Sequence, residues 1–120
     1  MANKRDLKKF IRNTCGNIAL DIVIVGEHFS QIDKKDVEKI VMDCAVLQTT
    51  TISRLGIAFD RSEADFATKG EYTAARRKYF RRAYKALVGQ FDKDVAELVK
   101  DMNRALPDEV RQSLKKAVNE

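Results

Sequence analysis

The chain has 120 residues, of which 44 % are hydrophobic and 34 % charged, and its formal net charge is +5. This length predicts one domain spanning residues 1–120, and the apolar fraction excludes wholesale disorder. No apolar run is longer than that of residues 22–25. A membrane span needs roughly 18 apolar residues, so we expect no membrane segment.

The first predicted element is a helix from about Lys4 to His28. Its inner face is marked by apolar residues at three- and four-residue spacing: Leu7, Ile11, Ile18, Ile22, Val25 and Phe29. A β-strand over residues 18–25 is the alternative, because this segment is apolar almost all round and rich in β-branched residues. The periodic pattern continues on both sides of the segment, which favours the helix.

A second helix is predicted from about Lys34 to Leu55. Asp33 is suited to cap its N-terminus, and Gly56 is placed to end it in the left-handed conformation. The apolar positions of this helix are Val37, Ile40, Val41, Cys44, Leu47, Thr51 and Leu55. The connection to the first helix is short, so the two helices should form an antiparallel hairpin.

In such a hairpin, residues whose numbers sum to about 60 lie opposite one another. Cys15 and Cys44 should therefore face each other, most simply as two small buried apolar residues, with a disulfide or thiol switch as the alternative. Their spacing is not CxxC. Two isolated cysteines, and polar residues that interrupt the N-terminal segment, predict a cytoplasmic location without a secretion signal.

Residues 57–70 are predicted to be mainly a connection. Thr68 and Glu71 then have the spacing of a capping box, which predicts the start of a third helix. Apolar residues keep helical phase from there to about Ala105 and pass Gly89 without slipping. One long helix is therefore expected, and a kink at Gly89 is the alternative.

Pro107 is placed to open a short fourth helix. Its inner face would be formed by Val110, Leu114, Ala117 and Val118. The predicted fold class is therefore all-α, a four-helix bundle-like arrangement of an antiparallel helical hairpin, a long third helix and a short C-terminal helix.

Both hairpin helices carry a second apolar patch. These patches are Ala19, Leu20, Val23 and Ile24 in the first helix, and Met42, Ala45, Val46 and Thr49 in the second. The third helix, at ~1.5 Å per residue, should be ~50 Å long and overhang hairpin helices of ~33–37 Å. An uncovered patch and an overhanging helix both favour burial by a second copy, so self-association as a homodimer is expected.

Two charged residues lie where apolar residues would be expected. Asp21 interrupts the most apolar segment, and Arg76 falls on the apolar side of the third helix. Buried charges are normally paired. We therefore predict a buried polar pair of Asp21 and Arg76, with solvation of Asp21 at the edge of the apolar face as the alternative.

Basic residues are concentrated in Lys4–Arg12 and Lys69–Lys85, which together hold twelve basic and two acidic residues. Five of the basic residues fall within roughly 140° of one helical face: Arg77, Lys78, Arg81, Arg82 and Lys85. A basic helical face of this kind can follow a phosphate backbone without reading sequence. A simple solvated face and an acidic protein partner are the alternatives.

Signals for an enzyme are weak. The sequence contains none of the patterns GxGxxG, GxxxxGK[ST] or GxSxG, and its one imidazole is His28. Cys15 would lie ~20 Å from His28 along the same helix, too far for proton transfer. We therefore predict no catalytic residue, metal site, cofactor or small-molecule substrate. A mononuclear metal site built on His28 and Glu27 is the minor alternative.

The opening residues 1–9, Met-Ala-Asn-Lys-Arg-Asp-Leu-Lys-Lys, resemble the start of a family of small bacterial all-helical proteins of uncharacterised activity. The pairs Ser53-Arg54 and Tyr79-Phe80 add to the resemblance, as do three later apolar positions: Phe91, Val95 and Leu98. It spans roughly residues 1–106. It implies an all-helical cytoplasmic protein and transfers no activity or functional residue.

Together these patterns predict a non-enzymatic protein-interaction or assembly module that forms a homodimer. The alternative prediction is a nucleic-acid-associated protein that binds phosphates through the basic face of the third helix.

Overall fold

A computed structural model describes residues 4–112 of the chain. It contains three long helices: α1, Lys4–His28; α2, Lys34–Arg54; and α3, Lys69–Ala105. A single 3-10 turn, Glu63–Asp65, interrupts the connection between α2 and α3. Residues 108–112 are helical again. The all-α prediction is therefore confirmed, and residues 18–25 are helix rather than strand.

Both predicted N-caps form, but only half of the capping box does at Thr68, because the Glu71 carboxylate makes no return bond to the Thr68 amide. The Asp33 carboxylate accepts a hydrogen bond of 2.9 Å from the Lys35 amide at the start of α2. The Thr68 hydroxyl accepts one of 3.1 Å from the Glu71 amide at the start of α3. Each bond satisfies an amide that has no partner within its own helix, so both starts are defined by local sequence.

The predicted left-handed end of α2 at Gly56 is wrong. No residue of the described part of the chain has a positive φ. The chain instead continues through a right-handed Leu55, whose amide donates to the Ile52 carbonyl, while the Gly56 amide donates to the Ser53 carbonyl. Leu55 is fully buried. Anchoring of this side chain in the core sets the direction in which the chain leaves α2.

The first two helices form the predicted hairpin, in which α1 and α2 share the largest helix–helix contact. At its closed end the helices approach so closely that a Cβ atom added to Gly26 would lie 2.8 Å from Val37 Cγ2. Both cysteines are free and buried in the core between the helices.

The second half of α3 packs on this hairpin, mainly against α2. Leu87, Phe91 and Leu98 are its buried residues, and the Phe91 ring meets Phe10 of α1 edge-on at 5.8 Å. The helix runs unbroken through Gly89. Val110 is also buried, so the segment 108–112 returns to the core. The expected inner positions Leu114, Ala117 and Val118 lie outside the described residues.

The first half of α3 projects beyond the hairpin. We call residues 69–86 the arm; none of them is buried. The molecule measures 65 × 29 × 19 Å and its radius of gyration is 19.7 Å, against about 14 Å for a compact chain of this length. One side of the arm is covered by the connection, whose Phe59 ring lies 5.8 Å from Tyr72 and 5.3 Å from Tyr79.

Candidate nucleic-acid interface

A cleft opens where the start of α1 meets the arm. It has a volume of about 660 Å³. Five basic residues line it, Lys4 from α1 and Arg76, Arg77, Arg81 and Lys85 from α3. The other lining residues are Leu7, Thr73, Phe80, Tyr84 and Val88. The cleft thus combines positive charge with apolar and aromatic surface, and it contains no carboxylate.

A second cleft lies on the outer side of α1. It has a volume of about 620 Å³, and its lining is basic except for Asn13: Lys4, Arg5, Lys8, Lys9 and Arg12. The second cleft is formed by side chains of α1 alone, and Lys4 borders both clefts, so the two adjoin. We call the nine basic residues of the two clefts the basic surface: Lys4, Arg5, Lys8, Lys9, Arg12, Arg76, Arg77, Arg81 and Lys85.

Four ion pairs between described residues lie away from the basic surface and are local helical pairs: Lys39–Asp43, Glu97–Lys100, Asp101–Arg104 and Asp108–Arg111. None of the four includes a residue of the basic surface, and Asp6, the acidic residue of the same α1 segment, has an interaction of its own. The excess of cations at one end of an elongated molecule produces a field that attracts polyanions.

An aromatic stack runs along the arm inside the first cleft. The Arg76 guanidinium lies 4.9 Å from the centre of the Phe80 ring. The Phe80 ring in turn lies 5.8 Å from Tyr84, at an angle of 31°. The three residues are spaced i, i+4 and i+8, which places them on one face of the helix. We call this row the Arg76–Phe80–Tyr84 stack.

Some of the residues that line the clefts were predicted from the sequence and others were not. Of the predicted phosphate-binding residues, Arg77, Arg81 and Lys85 line the first cleft, whereas Lys78 and Arg82 are exposed on the arm but line neither cleft. The sequence reasoning missed Phe80 as a cleft residue, although the i, i+4, i+8 spacing of the stack was a usable signal. It also gave no sign that the start of α1 would adjoin the arm.

The predicted buried pair of Asp21 and Arg76 is wrong. Both side chains are exposed, and no ion pair joins them. Asp21 points about 100° away from its buried neighbour Ile22, which brings it to solvent. Arg76 lies on the arm, beyond the hairpin, and its guanidinium packs on Phe80 instead.

The described residues that were considered for catalysis or metal binding are not brought together. His28 is exposed at the end of α1 and packs edge-on against Phe29. Within residues 4–112 no group of three or more His, Cys, Asp or Glu is placed to hold a metal ion. Burial raises the pKa of Cys15, and burial and the adjacent Cys15 raise the pKa of Cys44 to about 11. Both thiols are therefore poor nucleophiles at neutral pH.

A second exposed feature lies on the hairpin. Leu20 and Ile24 of α1 are 56 % and 53 % exposed, and Met42 and Val46 of α2 are 63 % and 56 % exposed. We call these four residues the outer patch. They belong to the two second apolar patches that the sequence analysis identified, of which Ala19 and Val23 are instead half-buried.

No helix in the described part of the chain has the length and apolar character needed to cross a membrane. Comparison of the chain with protein-family models, with curated proteins and with solved structures gave no match.

Proposed function

We propose that the protein is a non-enzymatic module that binds nucleic acid through the basic surface. The observation that carries the proposal is that basic residues of α1 and of the arm, at least 64 positions apart in the sequence, lie in one region and take no part in the four ion pairs seen between described residues. Solvated helix faces usually mix both signs of charge. A surface of one sign on each side of a tertiary contact favours a polyanionic ligand.

Phosphate groups are the ligands that this chemistry suits best. Arg76, Arg77 and Arg81 present planar guanidinium groups that can donate two parallel hydrogen bonds to one phosphate, while lysines act as point charges. Binding of this kind releases counterions, depends strongly on salt, and carries little sequence information. The proposal is therefore for backbone binding rather than base-specific recognition.

Charge reversal tests the proposal. We expect Arg77→Glu, Arg81→Glu and Lys85→Glu together to abolish binding of nucleic acid, whether duplex DNA, structured RNA or oligo-dT, at about 50 mM salt. The matched control is Lys34→Glu, Lys35→Glu and Lys93→Glu, which makes the same change in net charge at exposed positions outside the basic surface. Absence of binding by the unmodified protein, or equal loss in both triple variants, would refute the proposal.

A second candidate function, self-association, is favoured by the outer patch. Leu20 and Met42 lie at nearly the same level of the hairpin, because the approach of Gly26 to Val37 sets its register. Leu20 and Ile24 are each two residues from the buried Ile22, and Met42 and Val46 are each two residues from the buried Cys44, so both pairs point away from the hairpin core. Exposed apolar side chains of this size are the residues that a second copy would bury. We therefore infer that each helix contributes part of a homodimer interface, the oligomeric form that the sequence favours.

We also infer a cytoplasmic location. Its support is the pair of free thiols, both of which are buried in the core. Proteins of reducing compartments commonly keep such cysteines as small apolar core residues. The alternative ligand of the basic surface is an acidic protein. Absence of nucleic-acid binding in the charge-reversal test would favour it.

A further inference from the structure

We propose that the first cleft binds single-stranded rather than duplex nucleic acid, with unpaired bases stacking on the Arg76–Phe80–Tyr84 stack. This inference rests on the proposed function and names the class of nucleic acid. Bases stack well on aromatic rings and on guanidinium planes, and this contact tolerates any base because every base has a π face. Strands with unpaired bases are the nucleic acids that expose those faces.

The stack is available to a ligand. Phe80 and Tyr84 are only half-buried, and both line the open cleft. The other side of the arm is already occupied, because Tyr72 and Tyr79 pack against Phe59 of the connection. The arm therefore has one aromatic side covered by the chain itself and one aromatic side facing the cleft.

The cationic residues of the cleft have the same helical spacing as the residues of the stack. Arg77, Arg81 and Lys85 each follow one member of the stack by a single residue, so the two rows are about 100° apart on the helix and both repeat about every 6 Å. Each stacking position thus has a cation beside it. A strand lying along the cleft can place bases on the first row and phosphates on the second.

The shape of the cleft disfavours a duplex. A helix enters the roughly 12 Å wide major groove of DNA through a face that protrudes from the rest of the protein. The arm is not free, because the connection covers one side and Lys4 and Leu7 of α1 border the other. In an intact duplex the bases are stacked on one another, so their faces cannot reach Phe80 or Tyr84.

Fluorescence anisotropy with labelled oligonucleotides tests the inference. The probes are oligo-dT and oligo-U of about 12 nucleotides, within the range of single-strand site sizes, and a duplex with the same number of phosphates. At equal salt we expect both single strands to bind at least about tenfold more tightly than the duplex. Phe80→Leu and Tyr84→Leu should each weaken single-strand binding about tenfold and leave its salt dependence unchanged.

Tyr72→Leu is the matched control, because it removes a half-buried ring of the arm that does not line the cleft. It should leave single-strand affinity unchanged. Circular dichroism checks that each variant keeps its helices. Equal or tighter binding of the duplex, or equal effects of the cleft and control variants, would overturn the inference while leaving phosphate binding intact. Absence of binding to every probe would overturn both proposals.

Tyrosine fluorescence provides a measurement on the unmodified protein. The chain has three tyrosines and no tryptophan, so stacking on Tyr84 is observable without interference from indole emission. Oligo-dT should quench the emission, and Tyr84→Phe should remove that quenching while retaining the ring and the binding. Quenching that persists unchanged in Tyr84→Phe would contradict stacking at this position.

Discussion

The glycines of α1 show how one atom can decide the effect of a substitution. Glycine in a helix interior costs roughly 0.5–1 kcal/mol relative to alanine, because its backbone loses more freedom on folding. Gly16 has nothing within 4 Å of an added Cβ atom, whereas at Gly26 that atom would lie 2.8 Å from Val37 Cγ2. Val37 is β-branched, so its methyl group has little room to rotate away.

Gly16→Ala should therefore raise the free energy of unfolding by about 0.5–1 kcal/mol. Gly26→Ala should instead lower it by about 1 kcal/mol, because overpacking outweighs the gain in helix propensity. The midpoints of urea unfolding measure both effects, provided that the slope with denaturant is unchanged. An equal gain in both variants would show that α1 and α2 are not this close at Gly26.

The two cysteines predict a dependence of stability on alkaline pH. Burial, together with the neighbouring Cys15, raises the pKa of Cys44 from 9.0 to about 11. Because the folded state holds its proton more tightly than the unfolded chain, the stabilisation is fully present below pH 9 and is lost as pH rises through about 11. A shift of this size corresponds to about 2–3 kcal/mol.

A comparison of the unmodified protein with Cys44→Ala checks this predicted loss of stability at alkaline pH. Urea unfolding at pH 8 and pH 10.5 should show a decline in stability for the unmodified protein that is smaller in the variant. Lysines and tyrosines titrate in both proteins, so only the difference between the two declines is informative. Equal declines would mean that Cys44 is not buried as described.

At the scale of the helices, the arm and the bundle should differ in local stability. Residues 69–86 have no buried side chain, whereas the second half of α3 contributes Leu87, Phe91 and Leu98 to the core. Local opening costs less free energy where few apolar contacts are broken. Amide hydrogen exchange should therefore be faster in the arm than in residues 87–105. Equal protection along all of α3 would indicate that the arm is buried, most simply by a second copy.

The helix bounds were predictable because their causes are local. The apolar spacing of α1 and α3, together with the caps Asp33 and Thr68, predicted element bounds that the structure matches closely. The end of α2 lies within one residue of its prediction, but the left-handed conformation predicted at Gly56 does not form, because burial of Leu55 rather than the adjacent glycine decides the path of the chain.

The clefts were less predictable because they depend on tertiary contacts. The charge of both basic segments was visible in the sequence, but their meeting follows from where α3 docks on the hairpin. That docking also decides that Arg81 lines a cleft while Arg82 does not. The predicted burial of Asp21 was wrong for a related reason. Asp21 is rotated by about 100° around the helix from Ile22, and only the packing of the helices shows which of the two positions faces solvent.

At the scale of the whole molecule, the outer patch predicts self-association. Light scattering of the unmodified protein at low and high concentration should show a concentration-dependent mass that reaches that of a dimer. Leu20→Glu with Met42→Glu should shift this equilibrium to monomer, because a charge in an apolar interface loses its hydration. Lys93→Glu with Asn103→Glu, two exposed positions on α3, is the control. A strict monomer at high concentration would rule out this interface.

The elongated shape separates the two candidate interfaces. The basic surface lies at the end of the hairpin where the arm begins, whereas Leu20 and Ile24 lie well along α1 toward its other end. A dimer formed through the outer patch would therefore leave both copies of the basic surface open to a nucleic acid. Loss of dimerisation should then lower apparent affinity for long nucleic acids, through lost bivalency, more than affinity for short ones.

The central claim is that the basic surface binds phosphates, and a salt titration tests it most directly. The affinity of the unmodified protein for oligo-dT should fall linearly with salt on logarithmic axes. With Lys4, Arg77, Arg81 and Lys85 each contacting a phosphate, the slope should be about −3, since each contact on a single strand contributes about −0.7. Binding that does not change with salt, or its absence at about 50 mM salt, would contradict the account.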